Sequence, residues 1–433
     1  MTRKVAFYTL GCRVNHYETR VVEETFVKNG FTVGSFDEKC DVYVINTCTV
    51  TAESDRKSRQ LIRRARALGG ENAVVAALGC MIRTDRENAA IISEADILLD
   101  NTEKMRCVDE VLKRLDPKGD ETTCPPVGAR PMTVTGADTT RAFLKIADGC
   151  DNACAYCIIP KARGPVASRP MKEVLDEAGT LVAAGYREIV LTGIETAAYG
   201  KDLPDGEDLV SLVEKVDTLP LDRIRLGSLE PSFLKEDAAA RLAACKHFMP
   251  HIHLSLQSGS SGTLARMRRK YNAEQFRATV ERLKKHIPGL LITTDIIVGF
   301  PGETEEAFEE TCRMVEDLGF SFCHIFPYSD RAGTAASVMP DKVPERVKKD
   351  RAARLKTVML ETRRKVLENK RGKTADILVE TVENGVAAGH TPDFIETRFA
   401  ADASVRPNTL VTVTLLDASD DLAFVYGEPH HDR

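Results

Sequence analysis

Short β-prone apolar runs alternate with helical stretches along most of this chain, and that alternation constrains its fold more than any other feature. In the first 116 residues, Lys4–Thr9, Asp41–Asn46, Asn72–Leu78 and Asp96–Asp100 read as strands. Tyr17–Lys28, Ala52–Leu68 and Lys104–Leu115 read as helices. Strand–helix alternation with short connections predicts a parallel α/β sheet. Residues 117–139 then carry Pro117, Pro125, Pro126, Pro131, Gly119, Gly128 and Gly136 and read as a linker.

The alternation resumes at Arg141. Strands are predicted at Ala142–Ile146, Glu188–Thr192, Ile224–Gly227, His251–Ser255, Leu291–Val298 and Phe322–Phe326. Helical stretches lie between them, at Lys172–Ala184, Asp208–Val216, Glu274–His286 and Glu305–Leu318. Six strands with intervening helices predict all or part of a β/α barrel, whose functional loops sit at the strand C-termini. A helix over Pro344–Asn369 closes this region, which spans 140–370. Residues 371–433 differ: β-rich runs at Thr374–Glu380, Ile395–Phe399, Leu410–Leu415 and Ala423–Tyr426 are separated by Gly, Pro, Asn and Asp. That pattern predicts a small all-β barrel.

Bulk properties narrow the class. No apolar run approaches the roughly 18–20 residues needed to cross a bilayer, and the N-terminus shows no signal-peptide core. A cytoplasmic protein with no membrane partner is expected. The net charge of −5 argues against indiscriminate nucleic-acid binding, but it hides basic stripes. Residues 346–373 hold twelve Lys/Arg against three Asp/Glu. Further clusters are Arg56, Lys57, Arg59, Arg63, Arg64 and Arg66, and Arg266, Arg268, Arg269 and Lys270. Such stripes can track phosphates, or can be solvated helix faces.

Twelve cysteines in a reducing compartment point to metal ligation or catalysis and away from disulfides. Cys150, Cys154 and Cys157 form a C-x3-C-x2-C loop directly after the first predicted barrel strand. Three thiolates on one loop can hold three irons of a 4Fe-4S cube and leave the fourth open. A structural zinc site is the alternative, but no fourth Cys or His of suitable spacing lies nearby. Cys12, Cys48 and Cys80 are far apart in sequence, yet each follows a predicted strand, in YTLGC, VINTC and AALGC. The strand C-termini of a parallel sheet share one edge, so these three converge and predict a second cluster. Cys40, Cys107, Cys124, Cys245, Cys312 and Cys323 lack ligand spacing and read as non-ligands.

The cysteine loop resembles the radical-SAM superfamily. Leu191-Thr192-Gly193, Ser228-Leu-Glu230-Pro231, His253-Leu-Ser255-Leu-Gln257-Ser258-Gly259 and Thr294-Asp295 through Gly302-Glu303-Thr304 resemble its later strand-end motifs. The resemblance implies that Cys150, Cys154 and Cys157 carry the catalytic cluster. Tyr156, Gly193, Glu230, Ser255, Gln257 and Asp295 would contact S-adenosylmethionine (SAM). With Cys12, Cys48 and Cys80 added, the whole chain resembles the methylthiotransferases: a cluster domain over 1–116, a radical-SAM domain over 140–370 and a TRAM RNA-binding barrel over 371–433. The TRAM likeness rests on Gly372-Lys373, Leu378-Val379-Glu380, Gly389-His390-Thr391-Pro392-Asp393-Phe394 and Val425-Tyr426-Gly427.

The resemblance implies two 4Fe-4S clusters and two SAM per turnover. One SAM methylates a sulfur held at the Cys12, Cys48 and Cys80 cluster; the other is cleaved to a deoxyadenosyl radical, and CH3S passes to an unactivated carbon. An electron donor and a sulfur donor are required, and a monomer is the working expectation. Thr9-Leu-Gly-Cys12-Arg-Val14-Asn15-His-Tyr17-Glu18-Thr19 resembles the branch acting on N6-threonylcarbamoyladenosine next to the anticodon, tRNA position 37. Two departures stand out: Lys161 where the family often has Tyr, and Glu195-Thr196-Ala197 where His–Leu is common. Arg163 and Glu195 are candidate pocket residues, although Arg163 reads equally as a structural ion pair. Competing readings are a methylthiotransferase for isopentenyladenosine in tRNA or for a ribosomal-protein aspartate, and a non-catalytic RNA-binding iron–sulfur sensor. Ordinary SAM methylation lacks support, because no G-x-G-x-x-G fingerprint is present.

Overall fold

The computed structural model describes residues 2–85, 93–116, 140–234 and 236–430. The linker expected over 117–139, with Cys124, lies outside the described residues. The chain forms two compact units. One joins the N-terminal residues to two excursions from later in the chain, Asp148–Ala167 and Ser329–Ser337, and the other holds the remainder. The Cys150 loop, expected with the central domain, therefore groups with the N-terminal residues.

The first unit is built from β1 (Lys4–Thr9), α1 (Arg13–Lys28), β2 (Thr32–Val33), β3 (Val42–Thr47), α2 (Ala52–Gly69), β4 (Val74–Gly79), α3 (Cys80–Thr84), β5 (Ile97–Leu99) and α4 (Cys107–Leu115). All five strands are parallel, in the order β2-β1-β3-β4-β5. Every residue of β3 and β4 is buried, because helices cover both faces. Phe26 of α1 and Val111 of α4 pack on one side, and Ile62 and Ala65 of α2 on the other. In this order the winding reverses between β1 and β3, which opens a crevice at the strand C-termini. Helix α1 starts at Arg13, four residues before the predicted start, with extended Cys12 as its N-cap residue.

The chain continues through β6 (Arg141–Lys145), β7 (Ala147–Asp148), α5 (Ile159–Arg163), β8 (Ala167–Ser168), α6 (Met171–Ala183), β9 (Glu188–Thr192), α7 (Leu209–Val216) and β10 (Arg223–Leu226). Then come α8 (Ala238–Ala244), β11 (His251–His253), α9 (Ser261–Arg266), α10 (Ala273–His286), β12 (Leu291–Val298), α11 (Glu305–Leu318), β13 (Phe322–Pro327) and α12 (Glu345–Glu368). Six parallel strands, β6-β9-β10 and β11-β12-β13, make a partial barrel in the second unit. Parallel bridges at Ile224–Phe248 and Leu229–Leu254 join the two halves. The outward side chains, among them Ile189, Ile252, Ile292 and Ile296, pack with Leu181, Leu212, Phe276 and Phe308 of the helices. On β12 the buried Thr294, Ile296 and Val298 alternate with half-buried Thr293, Asp295 and Ile297, which face the lumen.

The C-terminal residues close a five-stranded barrel from β14 (Thr374–Glu383), β15 (Val386–His390), β16 (Glu396–Ala400), β17 (Leu410–Ala418) and β18 (Val425–Pro429), in the order β14-β15-β16-β18-β17. Strand β15 was not expected, yet its signal was present. Asn384 and Gly385 adopt φ of 51° and 77°, and Asn-Gly is the preferred pair for a tight hairpin needing two positive φ values. This small barrel docks at the N-terminal end of the β/α strands. Around the fully buried Glu188 stand Arg141, Arg223 and Arg225. Arg223 donates to the carbonyl of His390 at 2.8 Å, and Arg225 to those of Thr391 and Pro392 at 2.9 Å. Phe394 stacks between His251 and His390, with ring centroids 4.7 and 4.5 Å away.

Much of the basic character is spent internally. Arg56, Arg64 and Arg66 pair with Glu53, Asp37 and Asp96. On α12, Lys348 pairs with Glu345, Arg351 with Glu303, and Arg354 with Glu305 and Glu309. Arg346, Lys349, Lys356, Arg364 and Lys365 remain on its exposed face. Among the described residues no helix is long and apolar enough to cross a membrane.

Candidate functional site

Cys12, Cys48 and Cys80 follow β1, β3 and β4 at the crevice edge, as their sequence positions require. Two asparagines tie the strand ends together. Asn15 Nδ2 donates to the carbonyls of Leu10 at 2.7 Å and Thr47 at 3.1 Å, and Asn46 Nδ2 donates to the Asn15 carbonyl at 3.0 Å. Gly11 has φ of 97°, and a Cβ there would lie 3.0 Å from Cys48 Sγ, so the first strand end packs directly against the second thiol. Burial raises the Cys48 thiol pKa, opposed by a backbone hydrogen bond at Val50, and the proximity of Cys80 and Cys12 adds to the rise. Cys80 Sγ accepts from Asn101 Nδ2 at 3.5 Å.

The second set lies in the same unit. Cys150 Sγ accepts from the Asn152 N–H, and Cys157 Sγ from the Ile159 N–H, both at 3.4 Å. N–H donors aimed at sulfur stabilise thiolates, the form that ligates iron. Gly149 has φ of 68°, and a Cβ there would lie 1.8 Å from the Pro165 carbonyl oxygen, so only glycine lets the loop close. The segment Ser329–Ser337 secures the loop: the Ala336 N–H donates to the Ala155 carbonyl at 2.7 Å, and Lys161 Nζ to the Gly333 carbonyl at 2.6 Å. Arg331 of this segment also bonds Thr49 and Asp55, beside Cys48. Three sulfur donors per set, with hydrogen bonds aimed at Sγ in each, fit iron–sulfur ligation.

A buried charge network joins the two sets. Arg163, at the end of α5, is fully buried and forks onto Glu18 at 3.0 and 3.1 Å. It also donates to Asp148 at 2.8 Å and to Asn15 Oδ1 at 2.5 Å. Lys104 reaches Glu18 at 2.5 Å from the other side. Burial works against the Arg163 charge, but Glu18 and Asp148 outweigh it and hold the guanidinium ionised. Burial pulls the Lys104 ammonium below the usual lysine value, against the attraction of Glu18. Asn101 Nδ2 donates to the Ala162 carbonyl at 2.6 Å, so the residue bonded to Cys80 also holds α5.

The remaining expected positions lie on the partial barrel, except Tyr156, which sits within the cysteine loop. Gly193 follows β9, where a Cβ would meet the Ala147 carbonyl oxygen at 3.3 Å. Ser255 and Gln257 continue from β11. Gln257 adopts φ of 68° while its N–H and carbonyl both bond to β12, a strained backbone of the kind that gathers at functional sites. Glu230 is buried against Arg269 at 3.3 Å. Asp295 sits on the lumen face of β12, 3.2 Å from His253.

Residues 144–315 match the radical SAM superfamily model, and 4–100 match one described as uncharacterized protein family UPF0004. A threonylcarbamoyladenosine tRNA methylthiotransferase of Bacillus subtilis is 40% identical, with 91% of this chain and 90% of that protein covered. This chain belongs to the radical SAM methylthiotransferase family. A relative of the same description from Thermotoga maritima is 36% identical, covering 92% of each chain. A tRNA-2-methylthio-N(6)-dimethylallyladenosine synthase of Acetivibrio thermocellus is 32% identical, over 94% of this chain and 89% of that one. Among solved structures, the radical S-adenosylmethionine methyltransferase TsrM of Kitasatospora setae shares the fold, with a TM-score of 0.55 at 17% identity over 78% of this chain and 75% of that one.

Sequence reasoning missed Asn15, Asn46, Asn101, Lys104 and Arg331 as supports of the cysteine sites. Of these, Asn15 carried a signal as a member of the first motif, and Asn46 as a member of VINTC. Arg163, left open between pocket and ion pair, is an ion pair. The other cysteines among the described residues, Cys40, Cys107, Cys245, Cys312 and Cys323, are buried, and burial pushes the Cys245 and Cys312 thiols up to about 11.

Glu195 is the departure with a measurable consequence. Burial, with Glu230 beside it, raises its carboxyl pKa to about 7 against the pull of Arg269. An unfolded glutamate titrates near ~4.3. Between those values the folded state keeps a proton that the unfolded state has lost, so stability falls as pH rises. Glu195→Gln is therefore expected to gain about 3 kcal/mol over wild type at pH 8, and little below pH 5. Denaturant unfolding at several pH values measures this; a gap between the two proteins that does not change with pH would remove Glu195 as its source.

Proposed function

We propose that this chain converts N6-threonylcarbamoyladenosine next to the tRNA anticodon to its 2-methylthio derivative, in the cytoplasm. The observation that carries the reading is the pair of three-cysteine sets, bound into one unit by a shared buried network. It is supported by relatives of that description at 36–40% identity over about nine-tenths of the chain.

Cys150, Cys154 and Cys157 would hold one 4Fe-4S cluster, and Cys12, Cys48 and Cys80 the other. Bound there, the clusters and SAM supply the radical and sulfur chemistry that an unactivated C–H bond demands. The protein's own contribution is to hold and orient. The hydrogen bonds from Asn152, Ile159 and Asn101 hold the sulfurs of Cys150, Cys157 and Cys80 in place. Gly193, Ser255 and Gln257 would form the strand-end rim for SAM. Glu230 would meet SAM as one half of its buried ion pair with Arg269. A thiolate-ligated cluster carries negative charge, and Arg163 and Lys104 place cations beside Cys80.

The TRAM-like barrel and the exposed basic face of α12 would hold the RNA backbone, a contact that weakens with salt. A splayed anticodon-loop base suits single-stranded RNA recognition. The reaction consumes electrons and sulfur, so an electron donor and a sulfur donor are partners, and the chain is taken to work as a monomer.

Mass spectrometry of tRNA nucleosides from cells with and without the gene tests this reading. Loss of 2-methylthio-N6-threonylcarbamoyladenosine with accumulation of its precursor is the expected result. Loss of the dimethylallyl counterpart instead would move the substrate to the other branch, and an unchanged profile would overturn the tRNA assignment.

A further inference from the structure

The lumen of the partial barrel holds a polar cluster that the cysteine chemistry does not use. His253 on β11, Asp295 on β12 and His324 on β13 each bring one donor atom into a group whose members lie within 4.8 Å of one another. Asp295 and His324 are register partners on neighbouring strands. His253 pairs in register with Thr293, two residues before Asp295 on the same face. Strand alternation therefore turns all three side chains to the lumen.

The orientation of His253 is fixed from behind. Its Nδ1 lies 3.0 Å from Thr293 Oγ1, and the same hydroxyl lies 3.1 Å from His251 Nε2. With Nδ1 donating to the hydroxyl, Nε2 turns its lone pair toward Asp295. That atom is buried without a hydrogen bond, although an Asp295 oxygen is 3.2 Å away. A tetrahedral site with bonds of about 2.0–2.1 Å separates its ligand atoms by roughly 3.3 Å, so this pair already has the spacing of two ligands on one ion. A ligating histidine whose other nitrogen is held by an outer hydrogen bond is the usual arrangement at metal sites.

We propose that His253, Asp295 and His324 bind one divalent first-row transition-metal ion, zinc by preference, with a coordination position open to the lumen. Two imidazoles and one carboxylate are a donor set used by zinc and non-haem iron, and three protein ligands leave room for an outside oxygen donor. His324 is the exposed member, flanked by Phe322 and Phe326 at ring-centroid distances of 4.9 and 6.4 Å. The cavity beside His324 is lined by Phe322 and Phe326 and, from α12, by Lys356, Met359 and Arg363. If the proposed function holds, a carboxylate or hydroxyl oxygen of the threonylcarbamoyl arm is the ligand class it takes; the metal site itself stands apart from that reading. It also gives Asp295 a role within the lumen, below the strand-end rim.

Anaerobic equilibrium dialysis tests the site. Chelator-washed holoenzyme carrying both clusters is dialysed against micromolar zinc, and zinc and iron are counted together. One zinc per chain with iron unchanged is expected for wild type. His324→Ala, an exposed position that leaves the core intact, and Asp295→Asn should each weaken zinc binding at least about tenfold, with iron again unchanged. Wild type that retains no zinc, or His324→Ala that retains it equally well, overturns the site. The dialysis reads zinc on purified protein and the nucleoside profile reads cells with and without the gene, so the two readings fail separately.

Discussion

Replacing Arg163 with methionine is expected to cost about 3–5 kcal/mol of folding stability and to release iron from the protein. The side chain is fully buried and serves two carboxylates at once, Glu18 and Asp148. Its removal leaves Glu18 paired with Lys104 but without the guanidinium, and Asp148 with one partner fewer. Methionine fills much of the same volume, so the loss reports charge and hydrogen bonding more than a cavity. Arg163→Lys keeps the charge but cannot fork onto Glu18 while reaching Asp148 and Asn15, and an intermediate loss is expected. Denaturant unfolding and iron counting after desalting measure both effects. A cost below about 1 kcal/mol, the range of a surface pair, would mean that the network does not hold the two cysteine sets together.

The second large effect separates the sets by chemistry. Alanine at Cys150, Cys154 or Cys157 is expected to abolish reductive SAM cleavage and product alike. Alanine at Cys12, Cys48 or Cys80 is expected to eliminate product while SAM cleavage persists. Deoxyadenosine and methylthio nucleoside, quantified from one reaction, give the two readouts, and iron content should fall by about half in either case, one cluster of two. Deoxyadenosine at wild-type yield from the Cys154→Ala protein would sink the assignment of the first set. Because Arg163 and Asn101 couple the sets, a Cys80→Ala protein that retains neither cluster would instead mean that the auxiliary site is needed to fold the other.

Much of this architecture was legible because its determinants are local. Helix α11 runs over Glu305–Leu318 as read from sequence, with apolar positions at helical spacing and a Thr304 side chain that accepts from the Ala307 N–H. Strands β9 and β12 also match their expected ends, since buried parallel strands are continuous apolar or alternating runs. Two missed features were local too: the Asn384-Gly385 hairpin, and the start of α1 beside Cys12.

By itself, the sequence determined the parallel α/β architecture, the closing β-barrel and the convergence of Cys12, Cys48 and Cys80, because strand period, helix period and the shared edge of a parallel sheet follow from local chemistry. Tertiary structure alone decided that the Cys150 loop packs with the N-terminal residues, that the small barrel caps the strand N-termini through Phe394, and that Arg163 belongs to Glu18. It also decided which basic residues are spent on internal ion pairs and that His253, Asp295 and His324 share one lumen. Those outcomes depend on pairing charges and rings separated by tens to hundreds of residues. The cost of burying an unpaired charge selects such partners only once the chain has closed around them.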